Sequence, residues 1–87
     1  MTIYAVFLNS PDEAAWQVLG EKWPDRHFIL TDHMAFVAPE GITTTAQIMN
    51  AVGMGLEKGL LGVVFELAEC NGLNSGDLWE WLRKFQP

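Results

Sequence analysis

The chain has 87 residues, 49% of them hydrophobic, and its 11 acidic and 5 basic side chains give a formal charge of −6. That length suits a single domain, residues 1–87, since domains span roughly 50 to 250 residues. The apolar content excludes an intrinsically disordered chain, and the acid excess argues against binding nucleic acid by phosphate neutralisation.

The first element is a strand. Ile3-Tyr4-Ala5-Val6-Phe7-Leu8 is β-branched and aromatic and stops at Asn9-Ser10-Pro11. Both of its faces are apolar, which predicts a central strand covered by helices. Ser10-Pro11-Asp12-Glu13 then reads as Ser10 capping a helix with proline in its first turn. Ala15, Trp16, Leu19 and Trp23 follow at helical spacing, and Pro24 ends the run.

Two short apolar runs, His27 to Leu30 and Met34 to Ala38, flank Thr31-Asp32-His33 and predict a β-hairpin. Thr44-Thr45-Ala46-Gln47 is a capping-box pattern, opening a helix with Ile48, Met49 and Val52 on one stripe. Gly53 suits its end. Glycines at 53, 55, 59 and 62 predict a flexible connection. Val63 to Ala68 is a fourth strand. A turn-rich stretch from Asn71 precedes a last helix, Asp77 to Phe85, with Leu78, Leu82 and Phe85 on its apolar stripe and Asn74 as the expected cap.

The order β-α-β-β-α-β with a C-terminal helix predicts an α/β (α+β) domain of the ferredoxin-like type. Its four-stranded antiparallel sheet should carry strands 1 and 3 in the middle and strands 2 and 4 at the edges. The single cysteine, Cys70, cannot form an internal disulfide. No apolar run approaches about 18 residues, so the expectation is a cytoplasmic protein with no membrane contact.

No catalytic residue can be assigned from the sequence. His27 and His33 lie at opposite ends of a strand, and paired Cys or His at zinc-ligand spacing are absent, so no metal or other cofactor is expected. Glu69 beside Cys70 would raise the thiol pKa and disfavour a nucleophile. Gly72 to Gly76 precedes a helix, but Asp77 would repel a phosphate there. The acids are scattered and serve helix starts and a solvated surface, unlike the carboxylate ladders of a DNA mimic.

The four tryptophans carry more information. Trp16 and Trp23 share a helical face and are assigned to the core. Trp79 and Trp81 lie about 200° apart around their helix. With Leu78, Leu82 and Phe85 inward, Trp81 borders the core and Trp79 points away, either towards a partner or flat over Leu73. Trp79, Trp81 and Leu73 are therefore the expected protein-binding residues.

The element order and the Leu78-Trp79-Glu80-Trp81-Leu82 helix resemble the SinR-like relatives of the small CRISPR-associated adaptation nuclease family. The likeness is carried by Tyr4 to Leu8, Met34 to Val37, Val63 to Glu66 and the last helix. Members of that nuclease family end the first strand in an aspartate that binds metal across a dimer interface. Asn9-Ser10 stand there in this chain, and the nearest acid, Asp12, belongs to a helix start. The resemblance implies a homodimer or a partner contact through sheet edges. The expected function is a small protein-interaction or regulatory module, of the kind phages and mobile elements encode, that acts by binding another protein. The alternative is a degenerate metal-dependent nuclease with Asn9, Ser10 and Asp12 near its cleft.

Overall fold

The computed structural model describes residues 2–41, 43–68, 72 and 76–85. In chain order these form β1 (Ile3–Leu8), α1 (Glu13–Lys22), β2 (His27–Ile29), β3 (Met34–Val37), α2 (Thr45–Val52), a 3-10 turn (Leu56–Lys58), β4 (Gly62–Leu67) and α3 (Gly76–Phe85). The strands make one four-stranded sheet in the order β2-β3-β1-β4, with every neighbouring pair antiparallel. As the sequence predicts, β1 and β3 take the middle positions.

Strand periodicity divides the apolar side chains between two cores. Successive residues point to opposite faces of a sheet. On β1, Tyr4, Val6 and Leu8 meet Ala15, Trp16 and Leu19 of α1 and Ile48 and Val52 of α2. Ile3 and Ala5 point the other way and join Phe36 and Ala38 with Leu78, Leu82 and Phe85 of α3. The sheet is thus a middle layer, with α1 and α2 on one face and α3 on the other.

Local signals set the helix ends, with one correction. The side chain of Asp12, not Ser10, caps α1, accepting a hydrogen bond from the Ala15 N–H at 3.0 Å. A carboxylate there satisfies the free N–H and also meets the positive end of the helix dipole, which a hydroxyl does not. The capping box of α2 forms as expected. Thr44 Oγ1 accepts from the Gln47 N–H at 3.2 Å, and Gln47 Oε1 accepts from the Thr44 N–H at 2.8 Å. Gly53 ends that helix in the left-handed region, at φ 85°.

The glycine-rich connection is more ordered than its composition predicts. The Gly55 N–H donates to the Leu60 carbonyl at 2.9 Å, closing a small loop around the 3-10 turn. Gly59, at φ 67°, reverses the chain so that Leu60 reaches the α1–α2 core.

One buried polar group couples this core to pH. Tyr4 is buried, its hydroxyl donates to the Thr43 carbonyl, and it pairs across the sheet with Glu66. Burial, then the Glu66 carboxylate, pushes the phenol pKa above its ordinary value of 10.0. The unfolded chain therefore releases this proton first as pH rises. The contribution is complete below about pH 10 and is lost as pH climbs through the folded-state pKa. Urea unfolding at rising pH should show stability falling more steeply above pH ~10 in the native chain than in Tyr4→Phe. At neutral pH the same substitution should cost about 1 kcal/mol for the lost hydrogen bond. Equal slopes for the two chains would show that the phenol does not drive the pH dependence.

Candidate interaction surface

The structure packs both described binding candidates, Trp79 and Trp81, against the core on the α3 side of the sheet. Trp81 is half-buried among three rings, with centroids 6.2 Å from Phe28, 6.5 Å from Phe36 and 4.9 Å from Phe85. Trp79, expected to point away from the core, is also half-buried and packs against the α3 core. Covering that apolar surface is favourable, and it removes the freestanding tryptophan that the helical angle suggests. Leu73, Asn74 and Cys70 lie outside the described residues.

Val18, Met49 and Leu56 are exposed on α1, α2 and the 3-10 turn, and a group of exposed apolar side chains lies together on the sheet. Register puts Phe7 opposite Val63 and Ala5 opposite Phe65, so Phe7, Val63 and Phe65 share the face on which α3 sits. Among the described residues, α3 seals Ile3, Ala5 and Phe36 but leaves Phe7 41%, Val63 55% and Phe65 41% exposed. Met34, beside Phe7 in the register, is half-buried at the margin. Leu61, just before β4, is exposed as well. Single exposed apolar side chains need no explanation, whereas neighbours on one face do.

His33 frames this surface. Its ring stacks on Phe7 with centroids 6.2 Å apart, and its Nδ1 lies 2.9 Å from the Leu8 carbonyl. A carbonyl oxygen can only accept, so Nδ1 carries the proton in that contact. The ring is thereby held against Phe7, which fixes one border of the patch.

Sequence reasoning missed Phe7, Val63 and Phe65, although a signal was present. Val63, Val64 and Phe65 are apolar in succession on a strand assigned to the sheet edge. An edge strand with one solvated face should alternate instead.

Two of the groups considered for chemistry, Asp12 and His27, make local structural contacts. Asp12 caps α1. His27 Nδ1 lies 2.6 Å from the Trp23 carbonyl, and the Asp32 carbonyl accepts from Trp16 Nε1 at 2.7 Å. Among the described residues, no three His, Cys, Asp or Glu side chains cluster as a metal site would require. Among the same residues, no helix is long and apolar enough to cross a membrane. Comparison with protein-family models, curated proteins and solved structures found no match.

Proposed function

We propose that this chain is a small protein-interaction module of the ferredoxin-like type, acting by binding another polypeptide through the Phe7, Val63 and Phe65 face. The β-α-β-β-α-β connectivity and the strand order β2-β3-β1-β4 support the fold-type reading. One observation carries the functional reading. Three large apolar side chains lie together on a half-covered sheet face, beside Ile3, Ala5 and Phe36, which α3 buries. Interface centres are enriched in such aromatic and apolar anchors. Trp79 and Trp81 hold α3 in place beside the surface rather than forming it.

The test compares capture by matched chains. Native protein, Phe65→Glu and Trp79→Ala are immobilised after each is shown to be folded. The expected result is a polypeptide retained by the native chain and by Trp79→Ala but lost from Phe65→Glu, with affinity reduced at least ~30-fold by a charge placed in an apolar contact. Retention on Phe65→Glu at native strength would remove the sheet face from the reading. Loss from Trp79→Ala alone would return the site to the C-terminal helix.

A further inference from the structure

We infer that the polypeptide bound at this face is a basic amphipathic α-helix of another protein, laid over β1 and β4 alongside α3. The inference rests on the interaction-surface reading above and names the occupant.

The width of the sheet sets the size of the open strip. Strands lie about 4.8 Å apart, so four of them span about 19 Å and take two helices side by side at about 8–10 Å. One face follows this rule, with α1 and α2 both packed on Tyr4, Val6 and Leu8. Among the described residues, the other face carries α3 alone. Trp81 turns from α3 to Phe28 of β2 and Phe36 of β3, which sets the helix towards that half of the β2-β3-β1-β4 sheet. The strip left open, carrying Phe7, Val63 and Phe65, is two strands wide and matches one helix.

Backbone chemistry selects a helix over an extended segment. A sheet face offers side chains and no backbone donors or acceptors. An extended chain laid on it would lose water from its own N–H and C=O groups with no partner in exchange. A helix bonds those groups internally and presents its side chains. Pairing at the β4 edge would satisfy an extended chain but leave the apolar face uncovered. Spacing agrees with a helix. Leu61 continues the strand register opposite Asn9, and from Leu61 to Phe65 the chain advances about 13 Å. A helix advances about 10.5 Å from residue i to i+7. Apolar residues at i, i+3, i+4 and i+7 can thus cover Leu61, Val63 and Phe65 together with Phe7.

Area also favours a single segment. The exposed parts of Phe7, Val63, Phe65 and Leu61 come to roughly 300 Å², against about 800 Å² per partner in a standard interface between folded proteins. One helix stripe suits the smaller figure.

Charge sets the polar side of that helix. The chain carries −6, and its five cations lie away from the strip. Arg26 and Lys84 stand over the Phe85 ring, 5.0 and 5.7 Å from its centroid. Arg26 Nε donates to the Ala38 carbonyl, at one end of β3, whereas Phe7 pairs with Met34 at the other. Arg83 shares the last turn of α3 with Lys84, and Lys22 and Lys58 belong to the end of α1 and to the 3-10 turn. The acidic residues adjoining the strip are Glu66, next to Phe65, and Asp32, next to the His33 that stacks on Phe7; both are exposed. Lysine or arginine flanking the helix stripe meets a favourable field at both borders, and acidic flanks meet a repulsive one.

The experiment titrates the isotope-labelled full chain with three peptides of about 15 residues, long enough to turn helical on binding, and reads each amide by NMR. The first sets leucine at i, i+3, i+4 and i+7 with lysine elsewhere. The second replaces its lysines by glutamate, and the third alternates the same leucines and lysines. The Leu-Lys helix should bind with Kd about 10 to 100 μM and shift the amides of Phe7, Val63 and Phe65. The other two should bind at least ~10-fold more weakly, and added salt should narrow the gap between the two helices. Phe65→Asn removes apolar area without adding charge and should cost at least ~10-fold, while Val63→Thr, which keeps the side-chain shape, should cost about threefold. Equal binding of either control peptide, native-strength binding by Phe65→Asn, or shifts centred on Val18 and Met49 would overturn the inference. So would shifts that follow protein concentration alone and ignore the peptides, which assign the face to a second copy. If capture is lost from Phe65→Glu yet the Leu-Lys helix shifts nothing, the sheet face stands and the helical occupant falls.

Discussion

Leu82→Ala should lower the unfolding free energy by about 3 to 5 kcal/mol, the range for emptying a packed leucine site. Leu82 is 1% exposed and sits between Leu78 and Phe85 in the core that joins α3 to Ile3, Ala5 and Phe36. A domain of this size has only about 4 to 13 kcal/mol in total, so the loss is a large share of it. The damage should also be uneven. An isolated helix shorter than about 12–15 residues is marginal in water, and α3 has 10. It stays helical because its apolar stripe is buried. Partial opening should therefore expose α3 amides to exchange before those of β1, α1 and α2, whose core on the other face is intact. Urea unfolding and residue-resolved exchange would check both parts. A loss below about 1 kcal/mol would mean the site collapses around alanine or that α3 contributes little to global stability.

Gly62→Ala should destabilise the chain by about 2 to 3 kcal/mol, although alanine in place of glycine within a strand ordinarily helps. A methyl carbon at position 62 would lie 2.1 Å from the Phe7 carbonyl oxygen and 3.1 Å from the Met54 methyl. The methionine can swing away, but the carbonyl is fixed in the β1–β4 ladder. Relief requires β4 to retreat from β1 at the Leu8–Gly62 and Phe7–Val63 pairs. Faster amide exchange at Val63, together with a lower urea midpoint, would show the ladder parting there. Stability within about 0.5 kcal/mol of the native chain would mean the two strands have room to adjust.

This glycine shows how the structure refines a sequence signal. Four glycines between 53 and 62 read as looseness, because glycine is permissive in any conformation. Two of them, Gly53 and Gly59, instead supply left-handed turns, and Gly62 lets two strands close. Composition reports freedom of the unfolded chain, whereas the fold uses each glycine for one specific geometry.

The elements themselves were largely legible. β1, the hairpin strands, α2 with its capping box and the apolar stripe of α3 follow from periodicity and end signals acting within a few residues. The interaction surface was harder to find. The angle between Trp79 and Trp81 around a helix is a local quantity set by their spacing. It does not say how wide the sheet beneath is, and α3 settles deeply enough for both rings to be half-covered.

The amino-acid sequence by itself determined the α+β class, the succession of strands and helices, the central place of β1, and which residues line each helix stripe. These depend on spacing and on caps, which neighbours in the chain decide. Only the tertiary structure decided that α3 covers one part of a sheet face, leaving Phe7, Val63 and Phe65 open beside the edge of β4. That outcome depends on the lateral fit of a ten-residue helix on a four-stranded sheet. Strand register across β1 and β4 then places residues nearly sixty positions apart on one patch.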